Sequence, residues 1–122
     1  MKTILPAIDV TSDARAAGYT GPTVALTAAL ACLVEAPTEA ACRVRFGALV
    51  MAASREAGIT DDPPEGPKTV TVMGRRIMIL QTRSEEGEET VTLASEWEIA
   101  LSGNEFAVQV AMPDYRPAGW IQ

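Results

Sequence analysis

Histidine is absent from the chain. Its absence removes Ser–His and Cys–His activation of a nucleophile and the usual His-containing zinc sites. Cysteine is nearly as scarce. Cys32 and Cys42 could supply only half of a thiolate tetrahedron, and both fall in Ala-rich apolar stretches where a free thiol behaves as a small hydrophobe. No closely spaced pair of glycines opens a helix after a strand, so a phosphate cradle is missing, and no cofactor is expected. Long apolar runs are missing too. Residues 24–34 form the most apolar segment, which is too short to span a bilayer, and residues 1–6 lack the apolar length and cleavage site of a signal peptide. A cytoplasmic location with reduced core thiols is the expectation.

What the chain does have is apolar mass and negative charge. At 122 residues and 48% hydrophobic it can bury one core of its own, and a single domain is expected over residues 1–122. The formal charge of −6 disfavours phosphate backbones and anionic lipid and favours a basic partner surface.

The organising stretch is residues 38–58. Cys42, Phe46, Leu49, Val50, Ala53 and Ala57 recur at helical spacing, Thr38 offers an N-cap, and Gly58 suits the left-handed closure of a helix. Such a helix covers a sheet. Before it, residues 4–10 read as an edge strand or an extended lead-in, interrupted by Pro6. Residues 12–17 read as a short helix capped by Asp9 or Thr11, and a second helix starts at Thr23 or Thr27 and runs to about Ala36. Residues 59–67 hold Pro63, Pro64 and Pro67 and form a stiff connector. Beyond it the pattern changes to period two: a strand over 68–73, a turn at Gly74-Arg75, a strand over 76–83 that is apolar on both faces, a long strand over 90–101 with a bend near Ser95, and a last strand over 106–112. Residues 113–122 form a tail whose Trp120-Ile121 should dock on the body or on a partner. The fold class predicted is α+β, an antiparallel meander of about four strands packed against one principal helix with shorter helices beside it.

Candidate chemistry is thin. Asp61, Asp62 and Glu65 lack the spacing of a calcium loop. Glu96 and Glu98 would project from one face of the long strand, as its wet side or as an acid–base pair. The most unusual feature is the run of Glu85, Glu86, Glu88, Glu89, Glu96, Glu98 and Glu105 with no Lys or Arg between Arg83 and Arg116. These glutamates either keep sheet edges soluble or form a docking surface for a basic groove. Leu30, Leu33 and Val34 on the nearly all-apolar second helix, with Trp120 and Ile121, are candidates for a homodimer interface. A pocket lined by Tyr19, Tyr115 or Trp97 would be needed for a small ligand-binding domain or enzyme.

Residues 8–19, Ile-Asp-Val-Thr-Ser-Asp-Ala-Arg-Ala-Ala-Gly-Tyr, then Val24-Ala25-Leu26-Thr27, and the stretch 46–53, Phe-Gly-Ala-Leu-Val-Met-Ala-Ala, resemble a family of small uncharacterised proteins from plasmids and phages of high-GC bacteria. The resemblance covers the N-terminal half and implies a mobile-element setting, with no site residues to carry over. The resulting expectation is a non-enzymatic interaction module, in its sharpest form an anti-CRISPR-like inhibitor of a bacterial defence complex acting through its acidic surface, without direct nucleic-acid or membrane binding. A self-associating accessory protein is the alternative.

Overall fold

The principal helix forms where its pattern predicts. The computed structural model describes residues 3–34, 36–58, 67–83, 87, 89–102 and 106–110. In chain order the elements are β1 (Thr3–Asp9), α1 (Thr11–Ala16), β2 (Thr23–Thr27), α2 (Ala28–Leu33), α3 (Glu39–Ala57), β3 (Lys68–Val72), β4 (Arg75–Arg83), β5 (Glu89–Ser95), α4 (Glu96–Ser102) and β6 (Phe106–Val110). The Thr38 hydroxyl accepts from the Ala41 N–H at the start of α3, and Gly58 closes the helix in the left-handed region at φ +69°. Cys42, Phe46, Leu49, Val50 and Ala53 are buried on one face as their spacing requires. Fully burying a side chain such as Phe46 or Leu49 stabilises by about 1.5–3 kcal/mol, which explains why this helix anchors the core.

The fold is α+β, and the sheet under α3 is larger than the sequence pattern suggests. It has six strands in the order β3-β4-β5-β2-β1-β6. The predicted meander is present as β3, β4 and β5, antiparallel in sequence order. The last strand does not extend it. β6 lies at the opposite edge, parallel to β1, and β2 joins the two halves by pairing parallel to β5 and antiparallel to β1. β1 therefore has two neighbours rather than being a sheet edge. β2 stops at Thr27, opposite Ala7, so Pro6 sits where β6 alone runs alongside β1. A residue without an N–H is tolerated at such a local edge.

Of the two starts offered for the second helix, Thr27 is the one formed, as the N-cap of α2, whereas residues 23–27 are a strand rather than a first helical turn. Val24 and Leu26 complete the helix-facing side of the sheet with Val91, Leu93, Ile77, Ile79, Val70 and Val72, all in one core with α3. The opposite face is also buried at Ala7, Ala25, Leu80, Thr92 and Ala94. The small side chains Ala7 and Ala25 on this face leave β1 and β2 with little apolar alternation in the sequence.

Residues 96–102 likewise differ from expectation: they form helix α4, so the predicted long strand ends at Ser95. The physical reason lies in Glu98. Its Oε1 accepts from the Ser95 N–H at 3.0 Å, the carboxylate half of a capping box. The same oxygen accepts from the Thr27 hydroxyl at 2.6 Å, while that hydroxyl accepts from the Leu30 N–H at 3.3 Å. One chain of hydrogen bonds thus caps α2 and α4 together and ties both to the ends of neighbouring strands β2 and β5. Unsatisfied first-turn N–H groups would otherwise be buried there at a cost.

α1 packs across α3 at Gly47. A Cβ there would meet the Asp13 carbonyl oxygen at 2.5 Å, so only glycine permits this approach. The connector at 59–66, most of the 84–88 turn and the tail with Trp120 and Ile121 lie outside the described residues.

Candidate interaction groove

Three expectations about site residues change once the elements are placed. Glu96 and Glu98 leave different sides of a helix and form no acid–base pair. Glu98 is buried and committed to the two caps, and Glu96 is ion-paired with Arg76. Glu98 therefore contributes nothing to an acidic outer surface. Glu89 begins β5, is half-buried and has an interaction of its own. Glu85, Glu86, Glu88 and Glu105 lie outside the described residues.

Among the proposed dimer residues, Leu30 is fully buried in the core and is unavailable to a partner. The reason is that α2 is only a single short segment after β2, and its Leu30 and Ala31 fill the same core as Phe46. Leu33 is 41% exposed and Val34 half-buried. Tyr19 is also buried. Its hydroxyl has no hydrogen-bond partner among the described residues, and burial pushes its pKa above the ordinary value although Arg15 acts the other way. It lines no described pocket.

The surface that the fold does assemble lies where the β3–β4 turn meets α2 and α4. A groove of about 620 Å³ is lined by Leu33, Gly74, Arg75, Arg76, Ser95, Glu96, Trp97 and Ala100. A second depression of about 250 Å³ adjoins it, sharing Leu33 and Arg75 and adding Val34, Arg45 and Met73. Trp97 is 51% exposed and Met73 61% exposed. Arg75 donates from one guanidinium nitrogen to the Leu33 carbonyl at 3.3 Å, which fixes its stem over the end of α2. Arg76 is held in place by Glu96 while its side chain stays 68% exposed.

The turn itself is informative. Val72 pairs with Arg75 across a two-residue loop, and both loop residues have positive φ, Met73 at +52° and Gly74 at +76°. This is the geometry of a type I′ hairpin, which favours Asn, Asp or Gly at both positions. Met73 gains little for the fold there, since most of its surface points outward. Chemically, this arrangement offers aromatic, thioether and guanidinium contacts, the side chains enriched at protein interfaces. It offers no nucleophile beside a base. Among the described residues no cluster of three Cys, Asp or Glu could hold a metal ion, and no helix is long and apolar enough to cross a membrane.

The spacing places Trp97 on the long strand or in a pocket wall and Arg75 in the hairpin turn; the turn is instead formed by Met73 and Gly74, with Arg75 already in β4. The signal for the correct placement was Ser95-Glu96-Trp97-Glu98, the capping-box spacing. A third depression, of about 310 Å³, lies between α1 and α3, walled by Asp13, Ala16, Ala17, Arg43 and Val44, but the charges in it are internally paired: Arg43 bonds Asp13 at 3.2 Å and Glu39 at 3.1 Å. No protein-family model, curated protein or solved structure matches the chain.

Proposed function

We propose that the protein is a non-enzymatic interaction module that acts by occupying a partner's surface through the groove centred on Trp97. The observation that carries this reading is a half-exposed tryptophan in one groove with Arg75, Arg76 and Leu33, adjoined by a depression that adds the exposed Met73. Burying such a side chain in a complex removes a large apolar area from water, and Trp and Arg are the side chains whose truncation most often costs 2 kcal/mol or more, as an order of magnitude, at interfaces. The glutamates after Arg83 support the reading less, because Glu98 is internal and Glu96 is paired with Arg76.

The mobile-element setting implied by the resemblance extends the proposal to an inhibitor of a bacterial defence complex. The test is affinity capture of partners from bacterial lysates that contain such complexes, using the full chain and its Trp97→Ala variant side by side. A partner retained by the wild type and lost by the variant, with the variant's circular dichroism unchanged, supports the proposal. Equal capture by both removes the groove from it. Recovery of the protein alone, with a dimer mass in solution, replaces it by self-association through the exposed Leu33 and Leu101.

A further inference from the structure

Resting on the interaction-module reading, we infer that the groove's occupant is an extended protein segment that carries a carboxylate next to a bulky apolar side chain. The charge of the groove opposes that of the molecule. Its described lining contains Arg75 and Arg76 against one acid, Glu96, in a chain whose formal charge is −6. The guanidinium of Arg75 has five N–H donors, one of them placed on the Leu33 carbonyl, and the planar fork that remains suits a carboxylate. Arg76 already shows the preference, since it holds the carboxylate of Glu96 within the groove.

The apolar requirement comes from Leu33, Met73 and Trp97, which are 41%, 61% and 51% exposed around the two arginines. Met73 occupies a turn position better suited to Asn or Gly, and an apolar side chain kept at a conformational cost and directed outward fits a contact residue. An extended occupant follows from shape. The two depressions share Leu33 and Arg75 and so adjoin at the start of β4, where neighbouring side chains of one extended segment reach both. A nucleic acid would also present anions, but the net charge of the chain repels a polyanion more than a single carboxylate.

The experiment uses the intact protein and four dye-labelled probes: an eight-residue peptide alternating Asp and Leu, the same peptide with Lys for Asp, the same with Ser for Leu, and a twelve-nucleotide oligothymidine. Anisotropy gives affinities, and nitrogen-edited NMR, with Trp97→Phe to assign the indole N–H, gives the contact site. The Asp-Leu peptide is expected to bind in the micromolar-to-millimolar range, shifting the Trp97 indole and the Arg75 and Arg76 side-chain signals. Arg75→Gln should weaken it about tenfold. Glu96→Gln should tighten it by removing the internal competitor. Met73→Asn should raise the melting temperature, by favouring the type I′ turn, yet weaken binding several-fold, a combination that a purely structural Met73 would not give.

Equal binding of the Lys-Leu or Ser peptide, or of the oligonucleotide, would overturn the inference, as would shifts confined to other residues or no binding at millimolar peptide. The two proposals fail separately. A Trp97-dependent partner from lysate that the Asp-Leu peptide does not displace ends the inference and leaves the interaction reading intact, whereas absence of any Trp97-dependent partner ends the reading.

Discussion

Thr92 illustrates how a single buried polar atom bears on stability. It sits in the middle of β5 with no exposed surface, and its hydroxyl has no partner among the described residues. An unpaired buried hydroxyl costs about 1–3 kcal/mol, so Thr92→Val, nearly the same shape without the hydroxyl, should stabilise by about 1 kcal/mol. A rise in urea midpoint without a change in slope would bear this out, and a fall would mean the hydroxyl has a partner. Gly47 makes the opposite case. On an ordinary helix Gly→Ala gains up to about 1 kcal/mol, but here the added methyl meets the Asp13 carbonyl, and backbone is the least able to give way. Gly47→Ala should therefore destabilise by about 1–3 kcal/mol by separating α1 from α3, read as a lowered thermal midpoint. In the sequence Gly47 looks like a helix weakness, because the carbonyl that requires it comes from thirty-four residues earlier in the chain.

Between elements, the hydrogen-bonded path Leu30–Thr27–Glu98–Ser95 makes α2 and α4 one capped unit. Glu98→Ala leaves the Thr27 hydroxyl and the Ser95 N–H without their acceptor and should cost about 3 kcal/mol, more than an ordinary cap. Thr27→Val should cost less, and the double variant less than the sum, because both remove the same bond. Strict additivity in chemical denaturation would show that the two caps are independent.

The α1–α3 contact has a pH signature. Burial, the largest influence, raises the Asp13 carboxyl above its ordinary value of 3.8, and the pairing with Arg43 offsets only part of that. A raised value means the folded chain holds the proton more readily than the unfolded one, so the Asp13 contribution falls as pH rises through the range just above 3.8. The stability of the wild type relative to Asp13→Asn should thus shrink as pH rises from about 4 to 6. A difference that grows over that interval would mean that the ion pair with Arg43 outweighs burial.

For the whole molecule, β4 separates the two charged regions. The Arg75–Arg76 groove is at its start, and Glu89, which pairs with Arg83 across β4 and β5, is at its other end, roughly 27 Å away at ordinary strand rise. That distance exceeds the Debye length of about 8 Å at physiological salt. Changing Glu89 to Lys should leave capture of a Trp97-dependent partner within about twofold, because screening isolates the groove from it. A larger loss that disappears at high salt would return the contact to the acidic run. The local pattern alone determined the principal helix with both caps, its buried face, the β3–β4–β5 meander and the α+β class, since these depend on periodicity and on capping residues within a few positions. The tertiary structure decided the rest. β2 is a strand because it fills the space between β5 and β1, β6 crosses to the far edge to lie beside β1, and Leu30 turns inward because β2 places it against the core. Glu98 reads as a surface acid in an alternating run until Thr27, seventy-one residues away, supplies the hydrogen bond that holds it inside, and the helix this permits is what presents Trp97 beside the arginines. Contacts of that range have no footprint in local spacing, because each requires two distant segments to be in register first.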